Sequence, residues 1–109
     1  MADGPDSYAR VTKTVTGTTN NEGTGALTLK GCNVDQRNFF DISVDITTDG
    51  GSGTVQLQRK RQTDIVWRVI ESYTANTEKI GEIHGKWMVR LMVTAHGGSG
   101  DILLELAQS

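Results

Sequence analysis

His84, His96 and Cys32 are the residues of this 109-residue chain whose types suit a zinc site. Zinc needs three or four ligands in compact geometry, and no C-x-x-C or H-x-x-x-H pair brings these three together. They read as residues without a metal task. Serine, histidine and aspartate are all present, but a serine nucleophile needs a strained turn of the G-x-S-x-G kind. The two G-G-S-G runs, at 50–53 and 97–100, read instead as loops between strands. Asp35, Asp45 and Asp49 have carboxylates for calcium, yet the D-x-D-x-D-G spacing is missing, and they read as solvating charges. A phosphate loop would need a helix after the glycines and a lysine within the motif, and here strands follow. The chain is therefore expected to be neither an enzyme nor a metalloprotein, and no cofactor is expected.

Two further groups bear on binding. Arg59, Lys60 and Arg61 form a basic cluster, readable as an anion contact to an acidic partner or as charges that stop a hairpin edge from aggregating. The formal net charge of −2 argues against a dedicated nucleic-acid binder. Trp67, Tyr73 and Trp87 would suit a sugar-stacking platform, but both tryptophans fall in register with core-facing valines and leucines, which favours packing.

The elements that position these residues are strands. The organising stretch is 39–73, where Phe40, Ile42, Val44 and Ile46 alternate with Asp41, Ser43, Asp45 and Thr47, the period of a half-buried strand. A glycine-rich turn leads to Val55 and Leu57, and a third strand over 65–70 carries Trp67 and Val69. The three are expected to form an antiparallel meander with one shared apolar face. Further strands are expected at 26–30, with Leu27 and Leu29 inward, at 86–94, with Trp87, Val89, Leu91 and Val93 inward, and at the C-terminus, with Ile102, Leu104 and Leu106 inward. Residues 74–85 are irregular and read as a connection between sheets. Thirteen glycines against one proline suit many short strands. The expected fold is all-β: an antiparallel two-sheet β-sandwich of about seven strands, Ig-like or jelly-roll-like. Residues 1–25 read as a flexible N-terminal arm and loop, and 26–109 as the sandwich domain. No apolar run is long enough to span a bilayer and no signal-peptide core precedes the strands, so a protein made in a cytoplasm without membrane contact is expected.

A second set of apolar side chains is left over. Val66, Ile70, Met88, Met92 and Leu103 alternate out of phase with the core positions, where a two-sheet fold in water should be polar. Together they are expected to form an outer face buried by another copy or another protein. The stretch Tyr8, Arg10, Val11, Lys13 and Val15 has a thin apolar face, and is expected to reach a neighbouring subunit and pair with a sheet edge.

The runs T-V-Q-L-Q-R (54–59), Trp67, E-S-Y-T-A-N-T-E-K-I-G-E (71–82), V-R-L-M-V-T-A (89–95) and S-G-D-I-L-L-E-L (99–106) resemble small β-sandwich virion structural proteins of tailed bacteriophages. The resemblance covers 53–106. Where that group has a D-G-G turn before the tryptophan, this chain has K-R-Q-T-D-I-V. The resemblance implies a capsid decoration (cement) protein on the virion head surface, made in the host bacterial cytoplasm. It implies a homotrimer whose other partner is the major capsid protein. The alternatives are a phage tail or fibre module and a carbohydrate-binding or adhesion module.

Overall fold

The computed structural model describes residues 9–16, 22–29, 37–46, 52–61, 63–85, 87–97 and 100–108. Tyr8, Cys32, Asp35 and Asp49 lie outside the described residues, as do parts of both G-G-S-G runs. Nine strands and no helix occur among the described residues: β1 (Ala9–Val15), β2 (Glu22–Gly23), β3 (Leu27–Thr28), β4 (Arg37–Asp45), β5 (Gly53–Lys60), β6 (Arg68–Tyr73), β7 (Thr77–His84), β8 (Met88–His96) and β9 (Ile102–Gln108). They form two antiparallel sheets. Sheet A has the order β1-β9-β4-β7; sheet B has β2-β8-β5-β6, with β3 also on β8.

Period-two alternation builds the core from both sheets. Sheet A turns Val15, Phe40, Ile42, Val44, Ile102, Leu104 and Leu106 inward. Sheet B supplies Leu27, Val55, Leu57, Val89, Leu91 and Val93 to the same buried cluster. Each expected inward series on β4, β5, β8 and β9 is buried. Burying an aliphatic side chain contributes about 1.5–3 kcal/mol, so this shared cluster is what holds the sheets together.

Four expectations are corrected. The central stretch is not a three-strand meander: β4 pairs with β7 and β9 in sheet A, while β5 and β6 form a hairpin in sheet B. Residues 74–85 are not a mere connection, because Thr77–His84 is the edge strand β7, with eight residues in register along β4. The strand expected at 65–70 begins later, at Arg68. Its register on β5 shifts between Leu57 and Gln58, so Val69 and Ile70 both stand exposed and Trp67 is only half-buried. Finally, Ala9–Val15 is no free arm here. It pairs with β9 over its whole length, from Ala9↔Gln108 to Val15↔Ile102, and Val15 is fully buried.

β2 and β3 together make one interrupted edge against β8. Between them Thr24 takes the place of a strand residue: its amide donates to the Leu91 carbonyl at 2.9 Å, and its hydroxyl accepts from the Leu91 amide at 3.0 Å. Buried polar groups are paired in the same way at the far end of sheet A. Asn38 donates through Nδ2 to the Gly85 carbonyl at 2.7 Å and accepts from Gln108 Nε2 at 3.0 Å. Gly85 has φ of +97°, a left-handed conformation that a side chain would strain.

Candidate functional site: a cationic hairpin tip and an acidic sheet face

The β5–β6 hairpin concentrates positive charge. Alternation along β5 sends Arg59 to the inner side and Lys60 to the outer side of sheet B, and each finds a tryptophan. The Arg59 and Arg61 guanidinium carbons lie 4.2 and 4.8 Å from the Trp87 ring centre. Lys60 Nζ and the Arg90 guanidinium lie 5.3 and 4.3 Å from the Trp67 ring centre. A cation over an indole face is attracted by the ring quadrupole, and the stacking also fixes long side chains that would otherwise wander. Arg90 also donates through Nε to Gln58 Oε1 at 2.8 Å, and its partial burial pulls its pKa below the usual arginine range. Trp87 is anchored in turn, since its Nε1 donates to the His84 carbonyl at 2.8 Å and its ring packs on the core.

The tip itself is a tight turn. The Asp64 amide donates to the Arg61 carbonyl at 3.0 Å, the Arg61 amide donates to Asp64 Oδ2 at 3.0 Å, and Lys60 Nζ donates to the Asp64 carbonyl at 3.4 Å. Just beyond it Ile65 is 91% exposed and Val66 64% exposed. Among the described residues, no carboxylate forms an ion pair with Arg59, Lys60, Arg61, Arg68 or Arg90.

The outer face of sheet A has the opposite sign. Strand register places Ser43 directly across from Glu78 on β7 and from Glu105 on β9, with Asp41 and Asp45 two residues either side of it on β4. Residues opposite one another in a sheet share a face, so four carboxylates surround one small side chain. Glu82 adds a fifth at the β7 edge. Arg10 on β1 pairs with Glu105 at 2.6 Å, and His84 Nε2 lies 3.3 Å from Glu82 Oε2. Three shallow hollows run across the face and share Ser43. The one of about 400 Å³ includes Asp41, Glu78 and Ile80; that of about 470 Å³ includes Asp45, Glu78 and Leu103; that of about 200 Å³ includes Arg10, Thr12 and Leu103. Exposed apolar side chains stand among the acids: Phe39, Ile80 and Leu103 at 49, 66 and 39%.

A third feature is a cleft of about 260 Å³ where the free edges β6 and β7 approach, with Phe40, Ile42, Leu57 and Ile83 at its base and Ile70 and Ile80 at its rim. A bridge crosses it: Tyr73 Oη donates to Glu71 Oε1 at 2.6 Å, and Lys79 Nζ donates to both Glu71 oxygens at 2.9 and 3.1 Å. The Tyr73 hydrogen bond, then Lys79, holds the Glu71 carboxyl below its ordinary range. Burial, reinforced by Glu71, pushes the Tyr73 phenol up. At the opposite edges Lys13 on β1 reaches Glu22 on β2 at 3.9 Å.

The five apolar residues expected on one outer face do not share it. Met88 and Met92 lie half-buried on the outer side of sheet B, Leu103 faces out of sheet A, Ile70 borders the β6–β7 cleft, and Val66 stands at the hairpin tip. The physical reason is topological: β8 and β9 follow each other in sequence but belong to different sheets, so their outward residues point in opposite directions. Of the arm residues, Val11 and Val15 turn toward the core, and Arg10 and Lys13 make the ion pairs given above. Trp67 is not a core residue, whereas Trp87 packs against the core as expected. Ile65, Phe39 and Ile80 are further exposed apolar residues, outside the five expected from the alternation. Phe39 carried a signal, since it occupies a position on β4 where the alternation calls for a polar side chain.

His84 lies on β7 and His96 at the end of β8, in different sheets. Among the described residues no group of three or more His, Cys, Asp or Glu is arranged to hold a metal ion. No helix there is long and apolar enough to cross a membrane. No protein-family model and no curated protein matches the chain. Among solved structures it is similar to one described as "Bacillus endospore appendages form a novel family of disulfide-linked pili". The identity is 14% and the TM-score 0.37, over 100% of this chain and 94% of that one, a likeness that carries no argument for fold or function.

Proposed function

We propose that this protein is a bacteriophage virion structural protein, a capsid decoration protein that docks on the head surface and bridges capsid subunits. The observation that carries this reading is the distribution of exposed large apolar side chains. The core is fully supplied by the inward series, yet Phe39, Ile65, Val66, Val69, Ile80 and Leu103 remain at the surface. Such groups on a small domain suit contact with other protein, not catalysis. The resemblance over residues 53–106 supports the virion setting. We read the strand order β1-β9-β4-β7 over β2/β3-β8-β5-β6 as a jelly-roll β-sandwich, an architecture used by capsid and lectin domains alike, so the fold alone does not choose between them. On a shell lattice, weak contacts repeated many times gain through avidity. Self-association, as the homotrimer that the resemblance implies, and the major capsid protein as partner belong to this reading.

The test is the copy number of the protein in purified particles, with its solution mass measured alongside. A copy number matching the shell lattice supports decoration. A small fixed number at the tail supports the tail or fibre module instead. Absence from particles overturns both. The sugar-binding alternative gains nothing from Trp67 and Trp87, because each indole already carries two cationic side chains.

A further inference from the structure

We infer that the cationic hairpin tip of one copy docks into the acidic hollow on sheet A of a second copy. This rests on the self-association part of the proposed function and identifies the surfaces that meet. The tip is an apolar knob, Ile65 at 91% and Val66 at 64% exposed. It is flanked along the hairpin by the cations Lys60, Arg61 and Arg68, with Arg59 stacked on Trp87 beside them. The hollow is its complement. Ser43 leaves the space between two adjoining hollows, one with Ile80 and one with Leu103 as apolar contact. Asp41, Asp45, Glu78 and Glu105 supply the acidic rim, offset by Lys79 and by the Arg10 pair of Glu105. An anchor side chain in a desolvated pocket with a polar rim around it is a common interface arrangement, and charge complementarity across the rim adds orientation and specificity.

Three observations favour a second copy over a foreign polyanion. The chain itself carries both halves of the pair, and its hairpin cations find no carboxylate partner within their own chain among the described residues. The chain is acidic overall, which disfavours nucleic acid as the occupant. The knob is preorganised: Asp64 closes the turn, and Arg59, Lys60 and Arg61 are held against Trp87 and Trp67, so docking costs little side-chain ordering. The contact is heterologous, because tip and hollow are different surfaces. A contact of this kind gives a closed ring where its rotation closes and an open filament where it does not, and the solution mass distinguishes the two.

The experiment uses two charge-reversed full-length variants, studied alone and mixed, by light scattering at low and high salt. One carries Arg61→Glu with Arg68→Glu on the tip; the other carries Asp41→Lys with Glu78→Lys in the hollow. All four positions are exposed, and an unchanged melting temperature at high dilution confirms that each variant folds. The wild type is expected above the monomer mass of 11.8 kDa, with association that weakens as salt rises. Each variant alone should associate at least about 30-fold more weakly, and an equimolar mixture should recover association because the reversed tip then meets the reversed hollow. Ile65→Asp with Val66→Asp should abolish association in every mixture. If the wild type associates and the reversals change nothing, this contact is wrong and self-association stands. A mixture that stays monomeric also overturns the contact. A wild type that is monomeric at all concentrations removes both the contact and the self-association beneath it. Retention on heparin by such a monomer would assign the tip to a polyanion.

Discussion

At the scale of single residues, the informative positions are polar groups in unusual places. Asn38 is completely buried and joins Gly85 to Gln108 across sheet A, so replacing it strands two partners at once. Asn38→Ala should lower unfolding free energy by about 1–3 kcal/mol, read as a fall in the urea midpoint at constant slope. A shift below about 0.5 kcal/mol would mean that water or the Phe39 carbonyl, 3.4 Å from Gln108 Nε2, substitutes for it. The two tryptophans give a second test. Trp87 packs on the core while Trp67 lies beneath Lys60 and Arg90 on the outer side of sheet B. A Trp87→Phe variant, reporting Trp67, should emit further to the red and be quenched more by acrylamide than Trp67→Phe. Equal quenching would place Trp67 in the core, where the alternation of the sequence had put it.

At the scale of elements, alternation reveals that a strand exists but not which sheet receives it. That is why Phe40, Ile42 and Val44 were legible as core while the partners of β4 were not. β7 escaped notice for a related reason. Its inward positions are Thr77, Lys79, Gly81 and Ile83, and only Ile83 is buried, because the strand borders the open cleft against β6. Gly81 leaves room for the Phe40 ring: a Cβ would lie 2.7 Å from Phe40 Cζ, so any larger residue would have to displace that ring. The shift at Leu57/Gln58 likewise breaks the period that had placed Trp67 and Val69 inward. The acidic ring on sheet A was invisible in the sequence, since its members come from three strands.

Two consequences belong to this scale. Removing residues 1–16 deletes β1 and uncovers the β9 edge beside Ile102, Leu104 and Leu106, so the truncated chain should lose cooperative unfolding instead of remaining a folded domain without its arm. A sharp melt close to that of the full chain would show that β1 is dispensable. The Glu71 bridge between β6 and β7 predicts a pH dependence. Its folded pKa is depressed from the ordinary 4.5, so the native carboxyl binds fewer protons than the unfolded one around that pH. The stabilisation is therefore complete above about pH 4.5 and is lost as pH falls through the lower folded value. The stability gap between wild type and Glu71→Gln should be small, because the bridge is solvent-exposed, and should close on acidification. A gap unchanged down to pH 2 would exclude the bridge as its cause.

At the scale of the whole molecule, a net charge of −2 conceals a strongly bipolar surface, with cations gathered at one hairpin and carboxylates on the opposite sheet's outer face. The measured stability of such a chain should depend on its own concentration, because association that occurs only in the folded state draws the equilibrium away from unfolded chains. At low salt the melting temperature should rise with protein concentration, and at high salt the curve should flatten as the charges are screened. The Arg61→Glu, Arg68→Glu variant should melt at one temperature regardless of concentration, and that temperature should match the wild type at its lowest concentration. This separates association from intrinsic stability in one series. A variant that melts lower at every concentration would show the hairpin cations working within the chain, through Trp87 and the β5–β6 turn. A wild-type slope that survives high salt would place the contact on apolar surface alone, with Phe39 and Ile80 the first positions to change.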